Sequence, residues 1–210
     1  MHSVGFDLDL TLADTRAGIA ATYDELSRRL GVAIDSAVVV GRLGPPLEQE
    51  LTCWLPPEDI PAAAALYRSL SPRIAVPMTT LMAGAAEALA EVRRYGGRVI
   101  VVTGKHPATA RQTLDFLGLE VDEVVGSVFG AAKGTAIAGF GAAVYVGDHV
   151  GDIEAARAGR AVSVSVATGP FTEQALRDYG ADVVLPDLTG FAAWFKVWRL
   201  AEIGAVSTVM

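Results

Sequence analysis

Short apolar runs and segments of helical period alternate along most of this 210-residue chain. Residues 2–7 are predicted as the first strand, because the apolar run Val4-Gly5-Phe6 leading to Asp7 has the pattern of a buried strand. After Thr11, Ile19, Tyr23, Leu26 and Leu30 recur at spacings of three and four, which predicts a helix ended by Gly31. Helical spacing continues from Asp35 to about Arg73, cut into short helices by Gly44-Pro45-Pro46 and Pro56-Pro57. No strand is predicted between Thr11 and Thr80, and residues 72–80 read as a linker. An all-helical block therefore follows directly on the first strand.

Beyond it the period switches back and forth. Leu81, Ala85, Ala88, Leu89 and Val92 line one face of a helix with Arg93 and Arg94 in its last turn, stopped by Gly96-Gly97. Strands are predicted at 98–102, within 121–128, and at 143–146, 161–166 and 183–185. Helices are predicted from Pro107 to about Leu117, ended by Gly118, at 133–138, at 153–158 closed by Gly159, and at 173–179. Residues 201–210 read as a frayed end. Alternation of this kind makes a parallel, doubly wound, Rossmann-like α/β sheet. The expected organisation is a core of residues 1–13 and 79–210 with a small helical cap domain, 14–78, inserted after the first strand.

Composition narrows the partners. A hydrophobic content of 51% suits a substantial core. The net charge is −7, and no basic run exceeds Arg28-Arg29 or Arg93-Arg94. That argues against a nucleic-acid face and against anionic membranes. A small anionic substrate remains compatible, because a local metal and a lysine reverse the field. Cys53 is the only cysteine, so no internal disulfide forms, and a reducing compartment fits. With no signal-like N-terminus and no run of ~18 apolar residues, the expectation is a soluble, cytoplasmic monomer or homodimer.

The candidate chemistry sits where predicted strands end. Asp7 and Asp9 stand two apart, so on a strand both carboxylates point the same way. Paired acids repel unless a cation or proton lies between them; capping the following helix is the plainer role. Thr103, Lys133 and Gly147-Asp148-His149-Val150-Gly151-Asp152 each follow an apolar run. Asp-x-Asp-x-Thr, then Thr, then Lys, then Gly-Asp-x-x-x-Asp, in that order, resembles the haloacid dehalogenase-like phosphohydrolase superfamily over nearly the whole chain.

That resemblance implies a phosphatase with a helical cap. Asp7 becomes the nucleophile that forms an aspartyl-phosphate, and Asp9 the acid/base that protonates the leaving oxygen and then activates water. Mg²⁺ suits four converging acids, with Asp7, Asp148 and the backbone carbonyl of Asp9 as ligands. Asp152 acts through water, orients Lys133, or serves as a first-turn helix acid. Thr103 donates to a phosphoryl oxygen, with Gly104 beside it, or is an ordinary N-cap. Lys133 supplies fixed positive charge. Lys105 reads as structural or peripheral, and His106 and His149 as bystanders. On the cap, Arg42 beside Gly44-Pro45-Pro46 is a candidate for a substrate carboxylate, as in phosphoglycolate phosphatase-like enzymes. The implied partner is a small phosphorylated metabolite.

Leu10 stands where most such phosphatases have Gly, so ordinary backbone angles, or a side chain facing the cap, are expected there. Asp9 argues against a dehalogenase, and the absence of any lysine before Lys105 against a phosphonatase. A phospho-receiver module carries its Asp on a middle strand and has no such insertion. A sugar phosphomutase, or a degenerate relative that binds a phosphorylated ligand without turnover, stays open.

Overall fold

The computed structural model describes residues 3–207, with side chains up to Ala201. Position 2 of the predicted first strand and positions 208–210 of the expected frayed end lie outside the described residues. β1 (Ser3–Phe6) leads through an acidic loop to β2 (Ala13–Asp14), followed by α1 (Arg16–Leu30), α2 (Ser36–Val40), α3 (Leu47–Leu51) and α4 (Ile60–Ile74). The chain returns through β3 (Thr80–Leu81) to α5 (Ala85–Arg94), β4 (Arg98–Val102), α6 (Pro107–Leu117), β5 (Glu123–Val125) and α7 (Lys133–Gly139). β6 (Ala142–Gly147), α8 (Val150–Gly159), β7 (Val162–Val166), α9 (Glu173–Tyr179), β8 (Val183–Leu185) and α10 (Phe191–Ser207) complete it.

Six strands form one parallel sheet in the order β5-β4-β1-β6-β7-β8. Counted along the chain within that sheet, the order is 3-2-1-4-5-6, the doubly wound arrangement whose direction reverses between β1 and β6. Ligands bind such sheets at the carboxyl edge of that reversal. Asp7 follows β1 and Asp148 follows β6, so the topology itself brings them together. The central strands are apolar on both faces, as a sheet covered on both sides requires. Val4, Phe6, Val99 and Val101 face one buried cluster, and Ile100, Val102 and Tyr145 the other. The Tyr145 ring lies over Gly5, where a Cβ would come within 2.7 Å of it.

Helices α1 to α4 enclose a separate apolar cluster that includes Ile19, Leu26, Val39, Leu51 and Ala64. The two passages between this block and the sheet are paired: β2 and β3 form an antiparallel ribbon with Ala13 opposite Leu81. This corrects the expectation of no strand between Thr11 and Thr80. Leu81 is a ribbon residue, 44% exposed, and not part of the α5 face. Pro72 also lies inside α4 rather than in a linker. It falls in the last turn, where a missing N–H and a steric clash disturb little of the helix that follows.

Two helix ends differ from expectation. α8 runs through Gly159 and closes on Arg160 in the left-handed region. Gly159 is there for closeness: a Cβ would sit 2.4 Å from Ile137. The helix α10 covers the sheet with Phe191 and Phe195, and Phe6 meets Phe191 at 5.5 Å between ring centres. Its signal is the aromatic series Phe191, Trp194, Phe195 and Trp198 at helical spacing. Residues 201–207 belong to this helix rather than to a frayed end. Among the described residues no helix is long and apolar enough to cross a membrane.

Candidate active site

The loop after β1 is a tight knot around one carbonyl. The Leu8 oxygen accepts from the N–H groups of Thr11, Leu12 and Ala13, at 3.3, 3.0 and 3.0 Å. Leu10 closes the knot with φ +60°, so the expectation of ordinary angles is overturned: the turn keeps the left-handed geometry with a leucine in it. That conformation costs about 1–2 kcal/mol for a residue with a Cβ. The Leu10 side chain is 3% exposed, and burying a leucine contributes about 1.5–3 kcal/mol, enough to offset it. The Thr168 hydroxyl, from the loop after β7, donates to the Leu10 carbonyl at 2.5 Å.

Asp7, Lys133, Asp148 and Asp152 are all buried in one place. Lys133, 1% exposed at the start of α7, donates to Asp152 Oδ1 at 2.7 Å and stands 3.2 Å from Asp7 Oδ1. Burial works against its charge, but Asp152 and Asp7 outweigh that and raise its pKa well above the ordinary lysine value. Asp152 also accepts from the His149 N–H at 3.1 Å, so it both orients the lysine and caps α8. Asp148 accepts from the Thr11 hydroxyl at 3.0 Å. Burial, then Asp152 and Asp7, push the Asp148 carboxyl upward. Asp7 is raised to about 6, by burial first, against the lowering pull of Lys133.

These acids suit a cation. Asp7, Asp148 and Asp152 each offer an oxygen, all within 4.8 Å of one another. Fully ionised, three carboxylates against one lysine leave two excess negative charges away from water. Asp7 Oδ1 is buried with no aligned hydrogen-bond donor; the 3.2 Å approach of Lys133 is an ion pair only. Hard carboxylate oxygens favour Mg²⁺ or a similar ion. The carboxylate of Asp9 lies outside this cluster, paired with Lys105 Nζ at 2.8 Å.

Of the two roles expected for Lys105, structural or peripheral, this pair fits the structural one. Thr103 is buried, and its hydroxyl accepts from the Lys105 N–H at 3.2 Å. It is not an N-cap, since His106 holds that position before α6. His149 accepts from the Gly151 N–H at 2.9 Å and packs between Phe129 and Phe171. Two glycines make room for the acids: a Cβ on Gly147 would sit 2.2 Å from Asp152, and one on Gly169 would sit 1.9 Å from Asp148 Oδ2. Gly169 has no left-handed φ, so Gly169→Ala strains contacts and not the backbone. A divalent cation held by these acids should then bind about 10- to 100-fold more weakly, read from the Mg²⁺ dependence of thermal stability. An unchanged midpoint would refute the crowding.

A cavity of about 210 Å³ separates this cluster from the helical block, with Gly104 on its core side and Arg42 on its cap side. Gly44, at φ +146°, rests so close to the His149 ring that a Cβ would come within 2.8 Å. Arg42 does not offer a free fork. Its Nε and Nη2 donate to Glu50 at 2.9 and 2.6 Å.

The sequence profile of the haloacid dehalogenase-like hydrolases matches residues 4–157, well over half of the chain. The chain belongs to that family. A curated relative, the tyrosine-protein kinase PtkA of Mycobacterium tuberculosis, is 30% identical over 116 residues, which are 55% of this chain and 40% of that protein. The chain thus matches less than half the length of that relative. Among solved structures, a haloacid dehalogenase-like family hydrolase from Streptococcus pneumoniae superposes with a TM-score of 0.79 at 24% identity, covering 93% of this chain and 98% of that one. A predicted phosphoglycolate phosphatase from Haemophilus somnus gives 0.77 at 18% identity, over 94% and 97%. At these identities the superpositions establish the shared fold.

Proposed function

We propose that this hydrolase is a Mg²⁺-dependent, cytoplasmic phosphatase acting on a small phosphate monoester through an aspartyl-phosphate. The observation that carries the reading is Asp7 itself, a buried carboxylate whose Oδ1 has no hydrogen-bond donor and faces both Lys133 and the acids Asp148 and Asp152. In the first step an Asp7 oxygen attacks phosphorus, the ester P–O bond breaks, and a proton from Asp9 goes to the leaving oxygen. In the second, Asp9 takes a proton from water, the water oxygen attacks phosphorus, and Asp7 is released with inorganic phosphate. Lys105 Nζ, 2.8 Å from Asp9 Oδ1, fixes the position of this carboxyl group for both proton transfers. Lys133 and the Thr103 hydroxyl contact the phosphoryl oxygens. A divalent cation on Asp7 and Asp148, with Asp152 beside them, would supply the remaining positive charge.

Residues 14–78 act in this proposal as a cap domain over the core of 1–13 and 79–210. The support is the separate apolar cluster and the short β2–β3 ribbon, a natural hinge. The cavity is small beside the ~300–1,000 Å³ of sites for drug-sized ligands, which supports a metabolite over the protein tyrosine that the kinase relative's name suggests. A phosphoglycolate-like acid and a neutral hydroxylated phosphate both have the right size. The retained left-handed turn at Leu10 supports turnover over mere binding.

p-Nitrophenyl phosphate hydrolysis should vanish in excess chelator and return with Mg²⁺. Full activity in chelator would sink the mechanism. Isomerised sugar phosphate in place of released phosphate would point to a mutase.

A further inference from the structure

The cap wall of the cavity has a chemistry that narrows the substrate. Each of its arginines has a glutamate partner: Arg42 pairs with Glu50 at 2.6 Å and Arg68 Nη2 with Glu48 at 2.5 Å, while Arg68 Nε is buried without a hydrogen-bond partner among the described residues. Glu50 is buried and also accepts from Trp54 Nε1 at 2.8 Å, so it is a fixed partner. On the core side Lys105 is held by Asp9. Every arginine and lysine lining the cavity thus carries a carboxylate, and the cap wall is electrically balanced.

Two hydroxyls on the same wall have the opposite property. Tyr23 and Tyr67 line the cavity with ring centres 4.9 Å apart. Tyr23 is 3% exposed. Among the described residues no protein group hydrogen-bonds either hydroxyl. Tyr67 is half-buried, and neither hydroxyl oxygen is among the fully enclosed unpaired atoms, so both open onto the cavity and are free to bond a ligand. Burial, and for Tyr67 also Tyr23 and Asp9, keep both phenols protonated and able to donate.

The geometry points to a neutral, polyhydroxylated leaving group: the protein's substrates are sugar or polyol monophosphates, and a second anionic group is disfavoured. The two phenols donate to and accept from substrate hydroxyls, and their ring faces cover the carbon skeleton. A substrate carboxylate would have to displace Glu48 or Glu50 from its arginine while lying beside that displaced acid. The inference rests on the phosphatase reading for the phosphoryl step alone.

Glycerol 3-phosphate and 3-phosphoglycerate form a matched pair, differing by CH₂OH against carboxylate. With the full chain and Mg²⁺, kcat/KM should be at least about tenfold higher for the alcohol, a difference of about 1.4 kcal/mol. Tyr23→Phe and Tyr67→Phe should each lower it for glycerol 3-phosphate by roughly two- to tenfold more than for p-nitrophenyl phosphate. Glu50→Gln, which keeps the Trp54 contact and loosens Arg42, should shift the ratio toward 3-phosphoglycerate. Equal or better turnover of 3-phosphoglycerate by the unaltered protein would overturn the inference, as would equal losses on both substrates in the tyrosine variants. Calorimetric binding of the same two phosphates to the Asp7→Asn chain separates the levels. If p-nitrophenyl phosphate is never hydrolysed, the phosphatase reading fails, yet tighter binding of glycerol 3-phosphate still supports the inference. Tighter binding of the acid, or no binding of either, defeats it.

Discussion

Asp7→Asn abolishes turnover and leaves the fold in place. The amide is nearly isosteric with the carboxylate, so β1 and the knot around the Leu8 carbonyl are undisturbed. What disappears is the proposed nucleophilic oxygen and, with it, one of the three acids that could hold a cation. Loss of the nucleophile removes the covalent route altogether. Asp9→Asn removes only a proton donor and should slow the reaction by ~10²–10⁴-fold, more if it serves both steps. Acid quenching during a single turnover provides the check, because transfer to Asp7 leaves an acid-stable, base-labile acyl phosphate on the protein that direct attack by water does not form. A normal rate for Asp7→Asn, or hydrolysis by water without any acid-stable trace of phosphate on Asp7 in the quenched wild-type enzyme, would contradict the assignment.

Lys133→Met destabilises the metal-free protein by about 3–5 kcal/mol, the loss typical when one partner is removed from a buried ion pair. The side chain is of similar length, so little volume is lost. Asp7 and Asp152 then face each other without the cation that lies 3.2 and 2.7 Å from them. Asp148 stands in the same cluster and adds to the repulsion. Urea unfolding in chelator measures the loss, and Mg²⁺ should recover part of it, since a bound cation replaces the missing charge. A loss below ~1 kcal/mol without metal would mean that the carboxylates relax into water and that the cluster is not a preformed cation site.

The order of elements was legible because hydrophobic period is a local property. Strand β4 is a run of β-branched residues, and α6 sits between Pro107 and a left-handed Gly118. Asp7, Thr103, Lys133 and Asp148 could be found for the same reason: each is tied to the end of a strand or the start of a helix that its own neighbours specify. α10 carries a signal too, the aromatic series at i, i+3, i+4 and i+7 from Phe191, but it was not among the predicted elements, and its packing on Phe6 shows which face it buries.

Tertiary structure alone decided the partners. Thr11 reaches Asp148 across 137 positions, Lys105 reaches Asp9 across 96, and Thr168 reaches the Leu10 carbonyl across 158. No local pattern encodes such pairs, because they arise where the parallel strands β1, β4, β6 and β7 place their carboxyl ends side by side. Arg42 shows the same in reverse: its charge was visible in the sequence, but whether that charge is free depended on Glu50 one helix away. The sequence determines which chemistry each strand end carries, through short-range propensity and period. The sheet order determines which of those groups meet, because contact between them depends on the three-dimensional path of the chain.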